Sequence, residues 1–276
     1  MSIGIMQGRL SNKSGDLQSF PWDSWTEEFS RASLIGFDRI EWLIDGDSIS
    51  KNPIASIEGR KKISELKSKY KLSVTSLCAH ALIDGNLLSS GYKQLNAKKL
   101  FFDILSYAIE AEIEYVILPI MDAMSLKNQK SKTKLQNILF EGLLDNDIKI
   151  LLESDLPAIE LKDFIEKIDN DNVGILYDLG NATALGFDIE NELEVLLPYI
   201  FEIHIKDRFS NNGSSARLGN ADTGFDKAAK ALKKLSWRGP FILETPILDN
   251  WKSEALANFA FSQKFINSIS EDLAKE

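Results

Sequence analysis

Apolar runs short enough to be strands alternate with helical patterns eight times along these 276 residues, and few folds accept that rhythm. The strand-like runs are 3–7, 38–44, 72–79, 115–120, 148–153, 173–178, 199–208 and 241–244. Helical patterns follow them at 24–34, 56–70, 92–110, 132–144, 157–168, 189–197, 224–235 and 251–269. In 92–110, for example, Leu95, Leu100, Ile104, Leu105 and Ala108 approximate a 3.6-residue period. A helical crossover returns the chain to the same end of the sheet, so the strands are expected to be parallel. An open doubly wound sheet would compete, but its Gly-x-Gly-x-x-Gly turn is missing after every strand. Eight units in this length, with no linker rich in Pro, Gly or Ser, predict one α/β domain over 1–276, a closed (β/α)8 TIM barrel.

Hydrophobic residues at 44% allow such a barrel a full core, and charged residues at 26% are ordinary for a soluble protein. The net charge of −9 repels phosphate backbones and anionic membrane surfaces. Basic residues cluster only as pairs such as Lys61-Lys62, Lys98-Lys99 and Lys233-Lys234, which read as solvated helix faces, so no nucleic-acid partner is expected. Cys78 is the single cysteine, which excludes an intrachain disulfide and a cysteine-built zinc site. The first eight residues lack the basic and apolar regions of a signal peptide, and no apolar stretch approaches the roughly 20 residues of a membrane span. A cytoplasmic protein without membrane association is expected, and a homo-oligomer stays open.

In an α/β barrel the reacting groups stand at the C-terminal ends of the strands. Those positions hold Gln7 and Arg9, Glu41, His80, Glu153, Asp178, His204 and Glu244. Glu153, Asp178, His204 and Glu244 belong to four successive strands, each preceded by a mainly apolar run such as Ile150-Leu151-Leu152 or Phe241-Ile242-Leu243. Charges beside apolar layers need compensation. One divalent cation would compensate three carboxylates and an imidazole, and this donor set suits Mn²⁺, Mg²⁺, Co²⁺ or Zn²⁺. On the seventh strand Ile203 and Ile205 alternate with Glu202, His204 and Lys206. A closed barrel would turn the isoleucines to the helices and His204 to the mouth, with Glu202 deeper on the same face and without an evident partner.

Leu151-Leu152-Glu153, Tyr177-Asp178-Leu179-Gly180-Asn181, His204-Ile205-Lys206-Asp207 and Ile242-Leu243-Glu244 carry a resemblance to the xylose isomerase-like barrels. That superfamily includes sugar and sugar-phosphate isomerases and epimerases, among them ketose 3-epimerases. The segment from Leu218-Gly219 through Phe225-Asp226 to Trp237-Arg238-Gly239-Pro240 also looks like the family's approach to its last strand. The resemblance implies that Glu153, Asp178, His204 and Glu244 bind one metal, and that Glu153 and Glu244 also move the proton of a ketose through an enediolate. Two positions depart from the pattern. Asn181 stands where many relatives have histidine, and Ser154-Asp155 where relatives often place Asn-His.

The expected activity is therefore metal-dependent isomerisation or 3-epimerisation of a ketose or ketose phosphate. A dehydratase using the same enolate chemistry, or a non-catalytic sugar-binding barrel, is the alternative. Glu41, His80, Asn181 and Lys206 are candidate substrate contacts, and Arg208 and Arg217 are candidates to hold a phosphate near strands seven and eight. Gln7 and Arg9 are candidate rim contacts, while Trp22, Trp25 and Trp42 read as sugar-stacking or, more commonly for such positions, packing residues.

Overall fold

In the computed structural model, which describes residues 1–12, 18–46, 49–144, 146–246 and 250–270, eight parallel strands close into a barrel. In chain order its elements begin β1 (Ile3–Met6), α1 (Trp25–Ile35), β2 (Arg39–Leu43), α2 (Ile57–Tyr70), β3 (Ser76–Cys78) and α3 (Tyr92–Glu110). They continue with β4 (Tyr115–Ile120), α4 (Gln129–Gly142), β5 (Lys149–Ser154), α5 (Ala158–Ile168) and β6 (Val173–Asp178). Next come α6 (Leu179–Ala184), α7 (Ile189–Leu196), β7 (Ile200–Ile205), a small pair β8 (Asp207–Arg208) and β9 (Ser215–Ala216), and α8 (Phe225–Lys234). The chain ends its regular structure with β10 (Phe241–Leu243) and α9 (Trp251–Ser270). The barrel closes where β1 pairs with β10, Ile3 opposite Phe241 and Ile5 opposite Leu243.

Strand alternation divides the apolar residues into an outer and an inner set. Ile203 and Ile205 join the large cluster between sheet and helices, with Ile3, Ile5, Ile40, Trp42 and Phe241. Two smaller clusters separate from it, Met6, Leu43, Cys78 and Ile242 on one side and Ile117, Leu151 and Leu176 on the other. They come from strand positions alternating with the outer set and fill the barrel interior as stacked layers. His204 and Glu202 share the inner face of β7 and are fully buried.

The structure departs from the sequence pattern at three places. The third strand is only Ser76–Cys78, and Ser73 makes an isolated bridge to Arg39 ahead of it. A helix missing from the periodicity, α6, follows β6 directly, since the Asp178 side chain accepts the Asn181 backbone N–H at 2.8 Å and caps it. The seventh strand stops at Ile205 instead of running to residue 208. Asp207 is buried there and its carboxylate accepts the backbone N–H groups of Gly219, Asn220, Ala221 and Thr223, which folds Asp207–Arg208 back onto Ser215–Ala216.

Candidate functional site

The register of the last strands sets the site. Asp178 lies opposite His204 in the β6–β7 ladder, and His204 lies opposite Ile242 in the β7–β10 ladder. Glu153 stands near the end of β5, and Glu244 immediately follows β10. One ligand atom from each of Glu153, Asp178, His204 and Glu244 lies within 4.8 Å of the others, and all four residues are buried. His204 Nδ1 is 3.0 Å from Glu244 Oε2 and 4.0 Å from Asp178 Oδ2. Asp178 Oδ2 is buried without a hydrogen-bond donor, and Lys206 Nζ stands 3.6 Å away. An orphaned carboxylate oxygen among two more carboxylates and an imidazole fits a hard or borderline divalent cation.

The two glutamates sit in unlike surroundings. Glu244 accepts a hydrogen bond from Lys206 Nζ at 2.7 Å and another from Gln18 Nε2, while Arg9 Nη2 lies 3.8 Å away. Burial alone would raise the Glu244 pKa, but Lys206, then His204 and Arg9, hold it well below the usual carboxylate range. Glu153 accepts from Asn181 Nδ2 at 2.6 Å, and burial followed by the charges of Glu244 and Asp178 pushes it up to about 8. Burial likewise raises Asp178, with Lys206 opposing. Burial opposes the charge on His204 and Lys206, but nearby carboxylates outweigh it and raise both, Glu41 foremost for His204 and Glu244 for Lys206.

The other candidate residues take several places. Asn181 joins the cluster through Glu153, and its Oδ1 accepts from Arg208 Nη1 at 2.6 Å. Arg208 also donates to the Gly213 carbonyl. Lys206 is inside the cluster, between Glu244 and Asp178. His80 opens a short 3-10 turn after β3, is half-buried, and has its pKa lowered by burial. Glu41 is fully buried below the mouth with its carboxylate at His204 Nε2. Arg217 stands apart, paired through Nε at 2.7 Å and through Nη2 with Glu254 of α9. Gln7 Oε1 accepts the Leu43 N–H, and Arg9 Nη2 donates to Gln18 Oε1 at 2.7 Å. Trp42 is wholly buried and donates Nε1–H to Asn52, with Trp25 against its edge; Trp22 is partly exposed beside Phe20.

Gln18 is the site neighbour that the sequence pattern did not single out. It lies in the segment between β1 and α1, where no periodicity marks it, and reaches Glu244 across the closing pair of strands. Beside the mouth a cavity of about 510 Å³ is lined by Asp122, Lys127, Asp155, Asn181, Arg208 and Asn212 among others. Asp155 there receives Ser125 Oγ at 2.8 Å and Lys127 Nζ at 3.0 Å. The cluster and cavity together supply buried charge, proton acceptors and a polar chamber suited to a hydroxylated molecule.

Comparison with known proteins agrees with this architecture. The model of the xylose isomerase-like TIM barrel family matches residues 29–265. The L-ribulose-5-phosphate 3-epimerase UlaE of Escherichia coli O8 is 22% identical over 237 residues, covering 80% of this chain and 82% of its own. The crystal structure of a D-tagatose 3-epimerase-like protein superposes with a TM-score of 0.76 at 20% identity, over 99% of this chain and 100% of that one. That of an IOLI protein with a bound zinc atom gives 0.75 at 16% identity, over all of both chains.

Proposed function

Because the chain belongs to the xylose isomerase-like TIM barrel family, we propose that it is a divalent-metal-dependent epimerase or isomerase of a ketose or ketose phosphate. The observation that carries this reading is the buried convergence of Glu153, Asp178, His204 and Glu244 at one end of the barrel. Those four residues would hold the cation, and when bound it supplies positive charge that polarises a substrate carbonyl. The similarity to ketose 3-epimerases by name supports the substrate class, as does the polar chamber beside the mouth.

The protein groups would carry the protons. In this reading Glu153 and Glu244 flank the carbon beside the carbonyl. One removes its proton to leave an enediolate, and the other returns a proton to the opposite face. Each contributes on the order of 10²–10⁴-fold as a general acid or base. Asn181 holds the Glu153 carboxyl and Arg208 holds Asn181, so Glu153 is aimed by a fixed amide. Lys206, Gln18 and Arg9 keep Glu244 in place on the other side. Apolar layers elsewhere in the barrel interior keep water away from the buried carboxylates. Arg208 and Lys127 give the cavity positive groups for a phosphate, against Asp122 and Asp155 on the same walls.

The test is proton exchange. Ketoses with and without phosphate are incubated in deuterated water with apoprotein, then with Mn²⁺, Co²⁺, Mg²⁺ or Zn²⁺ restored, and followed by NMR. Deuterium should enter the carbon beside the carbonyl only with metal, and Glu153→Gln and Glu244→Gln should each abolish it. Retained turnover in both variants would end the two-glutamate reading. Metal and sugar binding without exchange would make the protein a binder.

A further inference from the structure

His204 is clasped at both ring nitrogens, and only one clasp belongs to the four-residue cluster. Nδ1 faces Glu244 and Asp178, whereas Nε2 lies 3.2 Å from Glu41 Oε1 and 3.3 Å from Glu41 Oε2. The ring and Glu41 are both fully buried. A neutral imidazole donates from one nitrogen and offers a lone pair at the other, and the hydrogen bond made by one nitrogen settles which is which. We propose that Glu41 is the positioning residue of the metal site: it accepts the Nε2–H of His204 and thereby fixes the ring with its Nδ1 lone pair toward Glu153, Asp178 and Glu244. This rests on the reading of those four residues as metal ligands.

Geometry favours this role over contact with substrate. Glu41 lies on the inner face of β2, wholly buried, with both carboxylate oxygens turned to His204 Nε2. The Gln7 N–H donates to the Glu41 backbone carbonyl at 3.0 Å, which locks the strand that carries it. Glu202, two residues before His204 on the same inner face, stands next to Glu41, and neither of its oxygens meets a donor. Beside that second carboxyl, the His204 ring is the nitrogen group within hydrogen-bond reach of the Glu41 carboxylate. Outer carboxylates of this kind raise ligand basicity and set ring orientation, and losing one weakens metal binding by roughly 10–100-fold.

Metal affinity is the direct readout. Full-length apoprotein and its Glu41→Leu and Glu41→Gln variants are titrated with Mn²⁺ and Co²⁺ against a competing chelator, and the absorption spectrum of the Co²⁺ form is recorded. Leu should weaken affinity by roughly 10–100-fold and alter the Co²⁺ bands, and Gln, which keeps an acceptor oxygen, should recover most of both. Should the Leu variant fail to fold, the Gln variant decides: near-native affinity and spectrum support the role of an acceptor oxygen, whereas a full loss overturns it. Unchanged affinity and spectrum in the Leu variant would also overturn it, above all with a raised KM for the sugar, the mark of a substrate contact. Two metal ions per wild-type chain would do the same, since Nε2 would then be a ligand. Metal binding that depends on Glu41, without exchange on any ketose, would remove the proposed activity and leave this inference standing. Wild-type protein that binds no metal would end both.

Discussion

Asn181 joins two side chains that the chain order keeps far apart, donating to Glu153 and accepting from Arg208. Asn181→Ala should leave Glu153 without that donor and free to turn. The expected result is a fall in kcat of about tenfold with KM nearly constant, as for a group that aims a proton carrier, and steady-state kinetics on the active ketose will show it. Reading strand ends was enough to select Glu153, Asp178, His204 and Glu244, because an α/β barrel puts all such ends on one rim. Strand ends alone do not show depth along an inner face, and the contact of Glu41, a candidate substrate contact, with His204 Nε2 comes only with the fold. The missing partner of Glu202 is explained by the same depth. Burial, followed by the charge of Glu41, raises its pKa well above the usual carboxylate range. Gln18 was unreadable for a different reason, since a side chain from an irregular segment acquires its meaning only from the fold around it.

Among the elements, α1 does more than cover the barrel. Its Glu28 is buried and accepts the backbone N–H groups of Gly8 and Leu10 and the Ser11 hydroxyl, pinning the segment that carries Arg9. Burial pushes the Glu28 carboxyl up to about 7, against its ordinary 4.5, despite those hydrogen bonds. A carboxyl whose pKa is raised on folding favours the folded state at low pH and loses that contribution as pH rises from 4.5 through about 7. Wild type should therefore lose stability relative to Glu28→Gln across that window, by about 3 kcal/mol at 1.36 kcal/mol per pH unit, measured by urea unfolding at several pH values. The helical periods and apolar runs gave most elements away, whereas α6 did not show itself. Gly180, Asn181 and Thr183 have poor helix propensity, and the helix depends on the Asp178 cap and on close packing. A Cβ at Gly180 would lie 2.9 Å from the Lys206 side chain and carbonyl, so glycine is what lets α6 lie against the end of β7.

For the whole molecule, the closed barrel concentrates like charges. Three carboxylates of the proposed metal site, with Glu41 and Glu202 under them, are buried around Lys206, Arg9 and His204. A cation bound there should stabilise the fold by about 2.7 kcal/mol at a hundredfold excess over Kd, and chelation should remove that gain. Calorimetry should show a Tm several degrees higher with Mn²⁺ than with chelator, and an equal Tm in both would count against a metal seated in this cluster. Barrel closure was legible because eight alternating units leave few other ways to cover both faces of a parallel sheet. Closure also ties the beginning of the barrel to its end, since β1 pairs with β2 on one side and, through Ile3, Gly4 and Ile5, with Phe241, Ile242 and Leu243 on the other. During synthesis at about 5–20 residues per second, β1 therefore waits roughly ten to fifty seconds for its second neighbour. Throughout that interval the nascent sheet has two open edges, the kind of surface that pairs with other chains.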